Sequence, residues 1–179
     1  MPDRRLAVAR SASLAVGATA AVPARDLIRI ELPEAGTPPS AYAAADRRQA
    51  IEDLLSGNRF VPSGVPRPGP FALRLWLREG RLVLDIRDGQ DGQPLRAIAL
   101  ALGPFRRLIK DYQMVVESHE RAVAEHQGEA RIQAIDMGRR GLHNEGAELL
   151  AERLKGRVAV DFETARRLFT LVCALHRRI

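Results

Sequence analysis

Along the chain, apolar positions recur first with period two and later at helical spacing, and that switch orders the elements. Leu27, Ile28 and Ile30 stand among charges in RDLIRIEL (25–32), which reads as a first strand. Thr37, followed by Pro38 and Pro39, opens a helix that runs on helix-forming residues from Ala41 to Leu55 and stops at Gly57. NRFVPSGVPRPGP (58–70), with Pro62, Pro66, Pro68 and Pro70, is expected to be a long loop. FALRLWLREGRLVLDIR (71–87) alternates on both sides of Glu79-Gly80, the signature of a hairpin whose glycine supplies the positive φ of a tight turn. Its register pairs Leu75 with Leu84 and Leu73 with Ile86 on the buried side, and Trp76 with Val83 and Arg74 with Asp85 on the other. After DGQDGQ, PLRAIALAL reads as a third antiparallel strand.

Helical periodicity then takes over. One segment runs from Pro104 to Gln127 with a seam of Phe105, Leu108, Tyr112, Val115, His119, Ala122 and His126, and a second spans Glu129 to Leu154. A short strand at Val158–Val160 precedes a helix capped by Asp161, with Phe162, Ala165, Leu168, Phe169, Val172 and Leu175 on its buried face. Strands first and helices mostly later predict an α+β fold: a small antiparallel sheet, the hairpin 71–88 plus neighbouring strands, packed against about four helices. Residues 25–179 are expected to form a single domain behind a disordered or dispensable leader, residues 1–24.

Charge narrows the classes of function. The chain has 179 residues and a net charge of +6, but Arg4, Arg5, Arg10, Arg25, Arg177 and Arg178, against Asp3 alone, carry nearly all of that excess at the ends. The body is close to neutral, which argues against general attraction to nucleic acid. Trp76, flanked by Arg74 and Arg78, fits a base-stacking platform, but a lone aromatic held by arginine stems is the commoner arrangement. Cys173 is the chain's only cysteine and falls in an apolar helical pattern, the setting of a small buried hydrophobe rather than a catalytic thiol. No apolar stretch approaches the roughly 18 residues that span a bilayer. The leader starts basic and ends Ala-rich like a signal peptide, yet Arg10 interrupts it, and a cytoplasmic location is expected. His119 and His126 lie two helical turns apart, too far to share one ion, so no metal site is expected.

Two places break local rules. In LGPFRRLIKDY a helix opens on Gly103-Pro104 and its first turns carry Arg106, Arg107 and Lys110, where the macrodipole prefers acids. Either acids elsewhere in the fold compensate, or the backbone N–H groups and the arginine forks hold an anion. In IDMGRRGLHNEGAELL, Gly138, Gly141 and Gly146 interrupt a helical context. The helix either breaks near Gly138–Gly141 and restarts near Asn144, or continues because small residues permit a close approach. If it continues, Asp136, Arg140, His143 and Asn144 share a face. Asp136 would then orient an imidazole, His143 would move a proton, and Arg139 or Arg140 would neutralise an anion. A buried polar network at a close helix crossing is the competing explanation, since nothing nearby supplies a nucleophile or a metal.

The runs LGPFRRLIKDY, AIDMGRRGLHNEGAELLAERL and VDFETARRLFTLVCALH, with the NRFVPSG loop and the RLVLDIRD strand, resemble a bacterial family of uncharacterised proteins, UPF0262, over about residues 25–179. The resemblance implies a short stand-alone bacterial protein and carries over no activity, cofactor or catalytic residue. The residues themselves hold no nucleotide loop, no nucleophile elbow and no internal repeat, and they name no cofactor. The expected function is non-enzymatic binding of an anionic small molecule or a protein partner through Arg106, Arg107, Lys110, Arg139, Arg140 and Asn144. The alternative is an enzyme using His143 with Asp136 and Arg140.

Overall fold

A computed structural model describes residues 26–33 and 35–176, so the leader and the terminal arginines Arg177 and Arg178 lie outside the described residues. Six strands and four helices follow one another as β1 (Leu27–Glu31), α1 (Ala41–Ser56), β2 (Phe60–Pro62), β3 (Phe71–Arg78), β4 (Arg81–Asp88), β5 (Pro94–Ala101), α2 (Arg106–Ala124), α3 (Glu129–Leu154), β6 (Val158–Val160) and α4 (Phe162–Leu175). The fold is α+β, with a four-stranded sheet in the order β1-β3-β4-β5 and a two-stranded sheet of β2 and β6.

The hairpin takes the expected register, Leu75 opposite Leu84, Leu73 opposite Ile86 and Trp76 opposite Val83. Glu79 and Gly80 both have left-handed φ, 51° and 71°, which matches the turn to the strand twist. The larger sheet is nevertheless mixed, because β1 runs parallel to β3. A parallel pair needs a crossover connection, and α1 with β2 supplies it. Asn58 ties the end of that crossover: its side chain donates to Leu54 O at 2.8 Å and Leu27 O at 2.9 Å, and accepts from Leu27 N at 2.8 Å. The expected loop 58–70 contains β2, which pairs antiparallel with β6 almost a hundred residues later.

One face of the sheet, carrying Leu73, Leu75, Leu82, Leu84, Ile86, Ile98 and Leu100, is buried in the core. The opposite face carries Arg74, Trp76, Val83 and the exposed Ala97, Ala99 and Ala101, as an antiparallel meander with one solvated side should. In the helical half, α4 packs against α1 and α3, and Ala165, Leu168, Phe169, Leu171 and Val172 are at most 1% exposed. Phe162, expected on this buried face, is 44% exposed, because it lies directly behind the cap residue Asp161, ahead of the turns that meet the core. On α2, Val116 is fully buried while Val115 is only half-buried, and the helix ends at Ala124, which leaves His126 exposed beyond it and off the seam.

α3 runs unbroken through all three glycines. Only Gly146 has a packing reason: a Cβ there would lie 2.2 Å from the ring of the fully buried Phe169, so the close approach brings a side chain of α4 against the α3 backbone. Gly138 and Gly141 face open space beside Met137, which is 72% exposed. Gly138→Ala and Gly141→Ala should each stabilise the fold by about 0.5–1 kcal/mol, whereas Gly146→Ala should destabilise it by about 1–3 kcal/mol. Urea unfolding of the three variants checks this; equal effects at all three would contradict the packing described.

Candidate functional site

The residues singled out at the start of α2 end on different partners. Gly103–Phe105 form a 3₁₀ turn that leads into Arg106 with no side-chain cap. Arg107 donates to Asp111 one turn on, at 3.2 Å, and to Glu145 of α3. Acids elsewhere in the fold thus meet this cation. Arg106 and Lys110 are exposed and make no side-chain hydrogen bond or ion pair among the described residues.

The α3 cluster divides between interior and surface. Arg140, 66% exposed, donates to Asp136 at 2.9 Å, and Asn144 faces solvent. Arg139 turns inward, where its Nε and Nη2 donate to Asp136 Oδ1 at 2.9 and 2.8 Å and its Nη1 donates to Asp46 Oδ1 of α1 at 2.7 Å. Burial would lower the Arg139 pKa, but Asp46 and Asp136 more than offset it and hold it up. Burial would raise the Asp136 carboxyl, yet its hydrogen bonds from the two arginines keep it below the usual range. Asp46 also accepts from Tyr112 OH of α2 at 3.0 Å. It is the carboxylate that sequence reasoning missed.

His143 is 2% exposed and enclosed at this junction. Its ring stacks on Tyr112 at 5.5 Å and meets Phe169 edge-on at 6.3 Å. Nδ1 lies 3.5 Å from both Arg139 Nη1 and Thr170 Oγ1, and Nε2 lies 3.6 Å from Asp46 Oδ2. Because a guanidinium only donates, Nδ1 takes the acceptor role and the ring proton belongs on Nε2, facing Asp46. The carboxylate beside His143 is therefore Asp46 and not Asp136, which is occupied by two arginines. Burial pushes the imidazole down to about 4, helped by Arg139 and Arg166 and opposed by Asp46. Burial raises the neighbouring groups too: Tyr42, stacked on His119 at 3.9 Å, goes to about 12, and the Tyr112 phenol and the Cys173 thiol go well above their ordinary values. All of these groups are held in their neutral forms. Beside the junction, a cavity of about 330 Å³ between α1, α2 and α4 is lined by Arg47, Glu117 and Glu120 together with Gln113 and His176. No group of His, Cys, Asp and Glu among the described residues is arranged to hold a metal.

The third location was not anticipated. A groove of about 430 Å³ runs beside β5, between the β4 start and the α3–β6 turn, lined by Arg81, Ala99, Ala101, Arg153, Lys155 and Arg157, with Glu152 as its one acid. Local chemistry places these cations. Gly156 makes the turn with φ +77°, and Ser63, just past β2, fixes it by bonding Arg157 O through its N–H and its hydroxyl at 2.9 and 3.0 Å. The β4–β5 register sets Arg81 beside Ala101, and both line the groove. Arg153 lies in the last turn of α3, where a cation suits the dipole, and Arg157 donates to Ala99 O on the free edge of β5 at 3.4 Å. Lys155 has only a loose pairing with Glu152, 3.9 Å apart and largely exposed. Arg81 and Arg153 make no side-chain hydrogen bond or ion pair among the described residues.

Keeping His143 neutral couples stability to pH. Its pKa is 6.5 unfolded and about 4 folded, so the contribution is complete above 6.5 and is lost as pH falls from 6.5 towards 4. It amounts to on the order of 3 kcal/mol. Between pH 7 and 4.5 the unfolding free energy of the native chain should fall about 2–3 kcal/mol further than that of His143→Gln, measured by urea titration. Parallel pH profiles would contradict a buried neutral imidazole.

The chain matches the family model described as "Uncharacterised protein family (UPF0262)" over residues 24–178. It is similar to a UPF0262 protein of Granulibacter bethesdensis, 58% identical over 153 residues, 82% of this chain and 86% of the relative. A UPF0262 protein of Acidiphilium cryptum is 58% identical over 139 residues, 78% of this chain and 84% of the relative. One of Brucella canis is 46% identical over 160 residues, 89% of this chain and 99% of the relative. No solved structure matches the chain. Hairpin, junction and groove all fall within the matched residues, and the chain belongs to the UPF0262 family.

Proposed function

We propose that this protein is a non-enzymatic binding protein for an anionic ligand, held in the groove beside β5. The observation that carries the reading is Arg81. Among the described residues its guanidinium has no hydrogen-bond or ion-pair partner, and it lines, together with Arg153, Lys155 and Arg157, a space of about 430 Å³ whose lining includes a single acid. Dipole compensation and edge protection account for Arg153 and Arg157, but neither accounts for Arg81. Such convergence is unfavourable until an anion neutralises it, and arginine forks match the oxygens of a phosphate two at a time.

Two other features support binding over catalysis at the helical junction. A general acid–base residue works best with a pKa near the working pH, and an imidazole near 4 that is enclosed by aromatic rings is far from that condition. The cation row at the start of α2 has Arg107 drawn onto Asp111 and Glu145, which leaves a less convergent site than the groove.

Inorganic tripolyphosphate at about 100 times its Kd should raise the melting temperature by about 5–10 °C at low ionic strength. Arg81→Ala and Arg153→Ala should abolish most of that rise, while Arg106→Ala and His143→Gln should keep it. An unmoved melting temperature, or an equal rise in Arg81→Ala, would refute the reading.

A further inference from the structure

The groove opens onto the solvated face of the four-stranded sheet. On that face the register sets rows across the strands: Arg78, Arg81 and Ala101; then Trp76, Val83 and Ala99; then Glu31, Arg74, Asp85 and Ala97. Trp76 is the chain's only tryptophan, half-buried on β3 between Arg74 and Arg78. On its β5 side the register sets the half-buried Val83 and then the exposed Ala99, the small side chains of this row among the described residues. Ala99 and Ala101 belong to both surfaces, as members of these rows and as lining of the groove. Two strand spacings, about 10 Å, separate Trp76 from Ala99.

Charge on the combined surface is sorted. Arg74 is matched by Glu31 at 3.0 Å and Arg87 by Asp85 at 2.7 Å, so the middle of the sheet is nearly neutral. The cations short of a counter-charge, Arg81, Arg153 and Arg157, gather at one end. An aromatic face beside a neutral platform, with a cationic channel one short step away, suits a ligand that alternates flat rings with phosphates. The near-neutral count of the whole body does not bear on this, because the sorting of charge and not its sum creates the local field.

We propose that this surface binds single-stranded nucleic acid, with one base stacked on Trp76 and the adjoining phosphates in the groove of Arg81, Arg153, Lys155 and Arg157. This rests on the anionic-ligand reading of the groove and names its ligand class. A single strand is required, because a duplex hides the base faces that Trp76 would meet. Stacking and phosphate contact both tolerate any base, so binding is expected to be largely indifferent to sequence.

The test titrates the full chain with a single-stranded oligothymidylate of ~12 nucleotides, a length within the span of known single-strand sites. Emission from Trp76 should be quenched saturably, and tripolyphosphate should compete for the groove without quenching by itself. With three phosphates engaged, log Kd should rise with log salt at a slope of about 2. Anisotropy of a labelled strand should show Trp76→Leu weaker by about 5- to 150-fold, with Trp76→Phe retaining most of the affinity. A strand that binds without quenching and equally well to Trp76→Leu would overturn the stacking proposal and leave the anion groove intact. A duplex of the same length that binds as tightly as the single strand would also overturn it. Failure of both oligonucleotide and tripolyphosphate to bind would defeat the groove reading as well.

Discussion

The arrangement of the helices rests on one carboxylate, Asp46, which accepts from Arg139 of α3 and Tyr112 of α2 while facing the His143 ring. Asp46 and Arg139 side chains are only 13% and 16% exposed. Bringing such a pair out of water costs several kcal/mol per ion, which their attraction returns only when the remaining donors and acceptors are matched. Here most are matched, through Tyr112 and Asp136, while His143 Nε2 lies 3.6 Å from Asp46 Oδ2 without a hydrogen bond. The network therefore contributes definition more than net stability: it ties α1, α2 and α3 together, and removing Arg139 would strand the Asp46 carboxylate, while removing Asp46 would leave the Arg139 guanidinium with Asp136 as its one acid.

That placement has consequences beyond the junction. With α3 held by Arg139 and His143, Gly146 meets Phe169, and the end of α3 arrives beside β5. The β2–β6 pair then locks the turn that follows, through Ser63 on Arg157. The groove is thus a product of the helical packing, although one of its walls is a strand. Helices occupy one side of the sheet, and the Trp76 side keeps its solvated face. Polar contacts organise the helical half, while cations without partners among the described residues stand both at the start of α2, as Arg106 and Lys110, and in the groove beside β5, as Arg81 and Arg153.

How much of this was legible in the sequence depended on the range of the interactions. The hairpin was readable because two alternating strands joined by Glu79-Gly80 determine their own register. The capping of α4 by Asp161 was readable for the same local reason, and the hydrogen bond from Thr164 N to Asp161 Oδ1, 2.8 Å, realises it. β2 was hidden, since three residues ending in a proline become a strand only by pairing with β6, which was legible at Val158–Val160 but lies almost a hundred residues away. The parallel placement of β1 was hidden likewise, because a five-residue strand carries no mark of its direction. In the junction, the α3 members were legible as a polar face at helical spacing, but Asp46 sits 93 residues before Arg139 in a helix rich in charges. The groove draws its cations from the β4 start and from the α3–β6 turn, so sequence proximity could connect only part of it.

A double-mutant cycle on Asp46 and Arg139, read by urea unfolding of the native chain, Asp46→Asn, Arg139→Gln and the double variant, bears most directly on the dependence of the helical half on one carboxylate. Each single variant should lose about 3 kcal/mol or more, and the double variant should recover a coupling of about 1.5–3 kcal/mol. Losses that add to within about 0.5 kcal/mol would show that the pair does not hold α1 to α3.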